Sequence, residues 1–263
     1  MIDYHVRIAP RLLPHLAGRA LTLKRYPNGV DEPFFFEKRC PPHAPAWIER
    51  ADGSVPYCVL DGLASLVWVA NLASLELHPS LHLAAAPEVP TLVAFDLDPG
   101  APADVLDCCR VALELRELLD HLGMIAVVKT SGGKGLHVSV PLNGAKVNDD
   151  QTKEFALALG QLLMGRDKKR VTVEMAKADR KGKVFVDWSQ NDRHKTTVCA
   201  YSLRIADRPT VSTPVSWEEI EAALEASDRD ALTFEAPAVL DRISSGVDHY
   251  EPSLTEHQDL PSL

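Results

Sequence analysis

The chain has 263 residues and 46% hydrophobic content, enough for one large domain or two small ones sharing a core. No apolar run approaches the roughly 20 residues needed to cross a bilayer, and the opening Met-Ile-Asp-Tyr-His lacks the plan of a secretion signal. No membrane-spanning helix is expected, and the expected setting is the cytoplasm, at the nucleoid. The net charge of −9 is unevenly spread: from Trp217 onward there are 12 acidic and 2 basic residues, leaving 25 acidic and 26 basic before it. The first 216 residues are thus neutral overall, with basic clusters at Lys24-Arg25, Lys168-Lys169-Arg170 and Lys177 through Lys183. Anion binding needs local positive potential, not a basic whole. The five cysteines (Cys40, Cys58, Cys108, Cys109 and Cys199) fit no zinc spacing and are expected to be small buried hydrophobes in a reducing compartment.

Residues 2–17 predict a helix in which Pro10 and Pro14 act as kinks or ends. Strands follow at LTLKRYP, which runs into a turn at Asn28-Gly29, and at FFFEKR. The proline-rich stretch from Cys40 to Pro56 reads as loop, YCVL as a short strand, and DGLASLVWVANLASLEL as one helix with Asp61 as its cap. TLVAFDLD is β-branched and apolar and ends at Pro99-Gly100, so it reads as a buried strand. Residues 102–122 give the clearest amphipathic helix, closed by Gly123. MIAVVKT, the turn SGGKG and LHVSVPL together predict a hairpin. A helix is expected over 149–164 and strands at VTVEM, KVFVDW and TVCAYSLRI. The acidic segment from Trp217 reads as helical, then frays near Asp248. The fold class is α+β, with mostly antiparallel, hairpin-connected strands flanked by helices. The division expected is one domain over 1–247 and a flexible tail over 248–263. That domain comprises an N-terminal module of about 1–90, a catalytic core of about 91–216 and an acidic helical segment, 217–247.

Three carboxylates carry the chemistry. Side chains alternate along a strand, so Asp96 and Asp98 of FDLDPG share one face while Leu97 takes the other. Two hard oxygen donors at the end of an apolar strand repel each other unless cations neutralise them, and they suit Mg²⁺ or Mn²⁺. By itself the pair equally describes a strand-to-turn transition, where Asp commonly caps turns. Asp187 ends a second apolar strand in KVFVDW, and three such aspartates point to a two-metal site for phosphoryl displacement. In the turn Thr130-Ser131-Gly132-Gly133-Lys134-Gly135-Leu136-His137, glycines free backbone N–H groups for an anion, while Ser131, Lys134 and His137 add donors. This is the chemistry of a triphosphate cradle, without the spacing of a Walker A loop. His78, Arg180 and Arg204 are further candidates for the site.

In order, LTLKRYPNGV, FFFEKR, LELHP, FDLDPG, TSGGKGLHV, KVFVDWSQN and YSLR resemble the polymerase domain of bacterial ATP-dependent ligase D, a branch of the archaeo-eukaryotic primase superfamily. The resemblance runs from about Ile2 to Trp217, and more loosely to about Ile243. It implies a primase-type catalytic fold and template-directed addition of rNTPs or dNTPs to a DNA 3′ end, at gaps or overhanging ends, in end joining or gap filling. Two ions, Mn²⁺ or Mg²⁺, are implied, with Ku and a DNA ligase as partners. Asp96, Asp98 and Asp187 match the family's metal-binding aspartates. Ser131, Lys134, His137, His78 and Arg204 match the pocket for the incoming nucleotide, with Arg180 and Gln190 near it. Phe35 and Phe36 match aromatics that pack against nucleic acid, next to the basic pair Lys24 and Arg25. Two departures are expected: the chain starts inside the equivalent of the family's first helix, without the lysine-bearing segment that grips a 5′-phosphate, and no ligase or nuclease domain follows Leu263. The residues alone also admit a phosphohydrolase with Asp96 as nucleophile, or a non-catalytic DNA-end binding module.

Overall fold

The computed structural model describes residues 1–206, 208–244 and 246–261. Helix α1 (Ile2–Leu16) buries Tyr4, Ile8, Leu12 and Leu16, one per turn. It runs unbroken through Pro10 and Pro14, contrary to expectation. Both prolines are exposed, so the carbonyls they leave unbonded fall on the solvent face. Strands β1 (Leu21–Arg25), β2 (Phe35–Glu37), β3 (Glu49–Arg50) and β4 (Cys58–Val59) follow, then α2 (Leu63–Asn71) and β5 (Ser74–Pro79). The sequence predicted one helix across these last two. The chain instead turns at Ala73, with φ 58°, and Leu75 to His78 join β1 as a strand. Pairing with β1 overrides the helical propensity of Leu and Glu here. Gly62, not Asp61, is the N-cap of α2; Asp61 accepts a bond from the Ser65 hydroxyl. The first sheet runs β2-β1-β4-β3, with β5 also on β1.

A small hairpin, β6 (His82–Leu83) and β7 (Ala86–Pro90), leads into β8 (Leu92–Pro99). Helix α3 (Val105–His121) has Asp104 as N-cap, and Gly123 follows it at φ 70°. The expected hairpin forms as β9 (Val127–Thr130) and β10 (Leu136–Pro141). Then come α4 (Asp149–Arg166), β11 (Val171–Thr172), β12 (Val184–Asp187), β13 (Leu203–Ile205), β14 (Pro209–Val211) and β15 (Pro214–Val215). The strands expected at VTVEM and TVCAYSLRI are shorter than the sequence pattern; Tyr201, at φ 65°, breaks the second. The chain closes through α5 (Trp217–Ala226), α6 (Ala236–Ile243) and α7 (Pro252–Thr255). The second sheet has the order β11-β12-β8-β10-β9-β15, antiparallel except for β11 with β12. One core lies between this sheet and α3 and α4; the other joins α1, α2, β1 and β5 to Cys199–Tyr201 and to α6.

Two further expectations are corrected. Cys40 and Cys58 form a disulfide across the proline-rich loop, while Cys108, Cys109 and Cys199 are buried and free. The tail that was expected to fray from Asp248 packs down instead. Tyr250 is buried and its hydroxyl bonds Ser139 at 2.7 Å. Asp248 accepts from the Tyr201 hydroxyl at 2.6 Å, and Gln258 donates to the Ile125 and Pro141 carbonyls. Its polar composition looks disordered, yet each of these polar groups has a partner on the core. Among the described residues no helix is long and apolar enough to cross a membrane. Tyr250→Ala, which empties a buried aromatic site, is expected to cost about 3–5 kcal/mol of unfolding free energy in a urea titration. A loss well below that would mean that the strap does not carry the fold.

Candidate active site

Strand β8 is the middle of the site. Its buried side presents Val93, Phe95 and Leu97, none with measurable exposure, so its other side must present Asp96 and Asp98. Antiparallel register then sets Asp187 of β12 and His137 of β10 beside Asp96, with Lys129 of β9 beside His137. Residues in register share a face, so Asp187, Asp96, His137 and Lys129 make one row across four strands. Asp98 lies one step further along β8, opposite Phe185.

The row borders a cleft of about 740 Å³. Of the residues expected from sequence, the cleft gathers His78, Asp96, Asp98, Ser131, Lys134, His137, Gln190, Arg204 and Phe36. Five others, Asp187, Arg180, Lys24, Arg25 and Phe35, lie off its walls. Asp187 is buried beside Asp96, its oxygens taken by the Ser189 backbone N–H at 3.0 Å, by the Ser189 hydroxyl and by Gln190 Nε2 at 2.8 Å. Arg180 lies 3.6 Å over the Phe185 ring and donates to the Met175 carbonyl, though its charge still reaches Asp98. Arg25 pairs with Glu37 at 2.7 Å and lies over Phe35, so this pair occupies the strand face opposite Lys24 and Phe36.

The electrostatics of the row are those of a site short of positive charge at one end. Burial and the charges of Asp96 and Asp187 push the Asp98 carboxyl up to about 6. Burial acts on Asp96 in the same sense, but His137, Lys129 and Arg204 outweigh it and hold that carboxyl below its usual range. Asp96 Oδ1 is buried without a hydrogen bond; His137 Nε2 stands 3.3 Å away. Lys129 is 2% exposed, and burial brings its ammonium down to about 7. It touches His137 Nδ1 at 3.1 Å and Ser212 Oγ at 2.8 Å.

The glycine turn is held rigidly over β8. Ser131 Oγ accepts from the N–H groups of Gly133 and Gly135 at 3.1 and 3.2 Å, leaving its own hydrogen to donate. Gly132 has φ 69° and packs on the Arg204 stem. At Gly135 a Cβ would lie 2.0 Å from the Leu97 carbonyl oxygen, so only glycine lets the turn approach the carboxylate strand.

Three further residues stand at the site without a motif to mark them. Lys129 sits in an apolar strand, where a lysine draws notice only once its neighbours are known. Lys195 donates to Ser189 Oγ, behind Asp187. Glu76 is 1% exposed and accepts from Lys24 at 2.8 Å, Tyr26 at 3.2 Å and His78 Nε2 at 3.1 Å, with Arg204 Nε at 3.5 Å. Reading LELHP as a strand, with Glu76 and His78 on one face, would have found it.

A family model described as "LigD, primase-polymerase domain" matches residues 1–249. The chain belongs to this family. It is 39% identical over 259 residues to the multifunctional non-homologous end joining protein LigD of Mycolicibacterium smegmatis, covering 96% of this chain and 33% of that protein. It is 31% identical over 243 residues to the bifunctional LigD of Bacillus subtilis, covering 92% of this chain and 39% of that one. The chain thus spans about a third of the length of the curated relatives it matches. The solved polymerase domain from Mycobacterium tuberculosis Ligase D, in complex with DNA, superposes with a TM-score of 0.87 at 36% identity, covering 98% of this chain and 92% of that one. The LigD polymerase domain fold expected from the motifs is therefore present, mixed α and β with antiparallel sheets.

Two outcomes are expected from this geometry. Gly135→Ala should cost about 1–3 kcal/mol of stability, because backbone and not a flexible side chain meets the new methyl; an unchanged melting temperature would contradict the close approach. Burial pushes the Glu76 carboxyl up, but bonds from His78 and Lys24 and the Arg204 charge bring it from the ordinary 4.5 down to about 2. A carboxyl depressed by folding stabilises fully above its unfolded value, and that contribution fades as pH falls from 4.5 toward 2. In urea titrations, the stability gap between wild type and Glu76→Gln should therefore be roughly 3 kcal/mol near neutrality and close over that acid range. A gap independent of pH would refute the assignment.

Proposed function

We propose that this LigD-family domain is a template-directed nucleotidyltransferase, which adds rNTPs or dNTPs to a DNA 3′ end at gaps or overhangs during non-homologous end joining. The observation that carries the reading is the row of Asp187, Asp96 and His137, with Asp98 beside it, bordering a cleft that the glycine turn and Arg204 also line. Family membership favours it over aspartyl-phosphate hydrolysis. The M. tuberculosis relative was solved with DNA, and the relatives' names place them in end joining, which makes Ku and a DNA ligase the expected partners.

The donor set fits divalent cations. Asp96 has a buried oxygen without a hydrogen bond, and Asp98 is held up by neighbouring negative charge, so both gain from a bound cation. Among the described residues no three acidic, His or Cys side chains already form a closed ligand cluster. Asp187 would complete one by turning an oxygen away from Gln190 or Ser189. Two ions, Mg²⁺ or Mn²⁺, bound there would acidify the primer 3′-hydroxyl and stabilise charge on the pyrophosphate leaving group. The protein's own groups bind and orient. Ser131, Lys134, His137 and Arg204 surround the triphosphate and neutralise the charge that builds on it. Gln190 holds Asp187, and His78 closes the cleft beside Phe36. Arg180 acts from outside, by its charge on Asp98. Phe36, with Phe34 and Lys24 around it, offers a stacking surface to the template, with Phe35 and Arg25 on the outer face to grip the strand.

The test is extension of a gapped duplex, with rNTPs or dNTPs and Mg²⁺ or Mn²⁺. Asp98→Ala is expected to slow extension about 10³-fold or more, equivalent to ~4 kcal/mol of barrier, while DNA affinity stays within a few-fold. Extension at the wild-type rate would overturn the assignment.

A further inference from the structure

Glu76 is buried, bonded to Lys24 and Tyr26 through one oxygen and set against His78 and Arg204 through the other, and it belongs neither to the carboxylate row nor to the glycine turn. Across β2, β1 and β5, register sets Phe36, Lys24 and Glu76 side by side. Lys24 Nζ lies 4.2 Å from the Phe34 ring centre and 5.8 Å from that of Phe36, so one ammonium supports the aromatic hairpin while bonded to Glu76 Oε1 at 2.8 Å. The other oxygen, Oε2, meets His78 Nε2 at 3.1 Å and Arg204 Nε at 3.5 Å. A carboxylate can only accept, so His78 carries a proton on Nε2 and its edge is fixed against Phe36, with ring centres 5.8 Å apart. Arg204 in turn packs under the glycine turn.

From this arrangement we infer that Glu76 is a positioning residue, which ties the hairpin that seats the template strand to the side chains that seat the incoming nucleotide. The two binding events are thereby coupled. Two long cations and an imidazole would otherwise sample many rotamers beside one another. One buried carboxylate is shared by all three, so a shift of any one of them on binding its ligand changes the bonds left to the other two. Coupling of this kind is reciprocal: nucleotide tightens DNA by the factor by which DNA tightens nucleotide.

The inference rests on the polymerase reading for which ligands to add, so binding is measured apart from turnover. Fluorescence anisotropy of a gapped duplex, with and without ATP and Mn²⁺, gives the coupling factor. Steady-state extension gives KM and kcat. In the wild type, nucleotide should tighten DNA by a factor of about 5 or more. In Glu76→Gln the factor should fall to about one and the nucleotide KM should rise about tenfold, with kcat at saturation within about threefold. A folded Glu76→Gln protein with wild-type coupling would overturn the inference, as would one that loses kcat at an unchanged KM. Should Glu76→Gln not fold, Glu76→Asp retains the charge but falls one methylene short. It should fold and lose most of the coupling, and wild-type coupling there would overturn the inference equally. Absence of any extension by the wild type, with the DNA–nucleotide coupling intact, would count against the polymerase reading and leave the role of Glu76 standing.

Discussion

The structure depends on the register of β8 between β12 and β10. Phe95, Leu97 and Val93 fill the core beneath the sheet, each contributing roughly 1.5–3 kcal/mol by burial. A slip of one residue would expose all three and force Asp96 and Asp98 into the core. The hydrophobic side of the strand therefore fixes where the carboxylates stand, and hydrogen-bonded register on both flanks brings Asp187 and His137 to the same level. The chemistry of the cleft is held by packing on the side of the sheet that faces away from it.

That placement concentrates negative charge, and the surrounding elements answer it unequally. Lys129, His137 and Arg204 lie toward Asp96 and keep it ionised, while Asp98 is left to crowd against Asp96 and Asp187. The glycine turn closes over this end at a distance that only glycine permits, bringing Ser131 and Lys134 to the same cleft. A site crowded by like charges and lined with donors suits a ligand carrying cations and phosphates together.

The two cores are joined by polar as well as apolar contacts. Glu76 links the first sheet to Arg204 of β13, and the C-terminal strap lays Tyr250 against Ser139 of β10 and Asp248 against Tyr201. Buried polar groups of this kind cost free energy unless every one is satisfied. Their partners lie from 47 to more than a hundred residues apart in the chain, so they tie together segments that only the folded state brings close.

By itself the sequence determined the elements whose signals are local: α3 with its closing glycine, the β9–β10 hairpin around SGGKG, the apolar strand ending in Asp96 and Asp98, and the ordered motifs of the LigD family. Alternation along one strand sufficed to place both aspartates on one face. Only the tertiary structure decided what depends on partners distant in sequence. Ser74 to Pro79 became a strand because β1 was there to pair with it, and that conversion set Glu76 beside Lys24 and His78. Lys129 entered the row because its hairpin partner β10 also pairs with β8, which sets His137 beside Asp96 and which no local pattern reveals. Cys40 met Cys58 across a loop, and the polar tail found acceptors on β10. Local propensity is written in neighbouring residues, whereas burial, pairing and charge balance are properties of residues that meet only when the chain has folded.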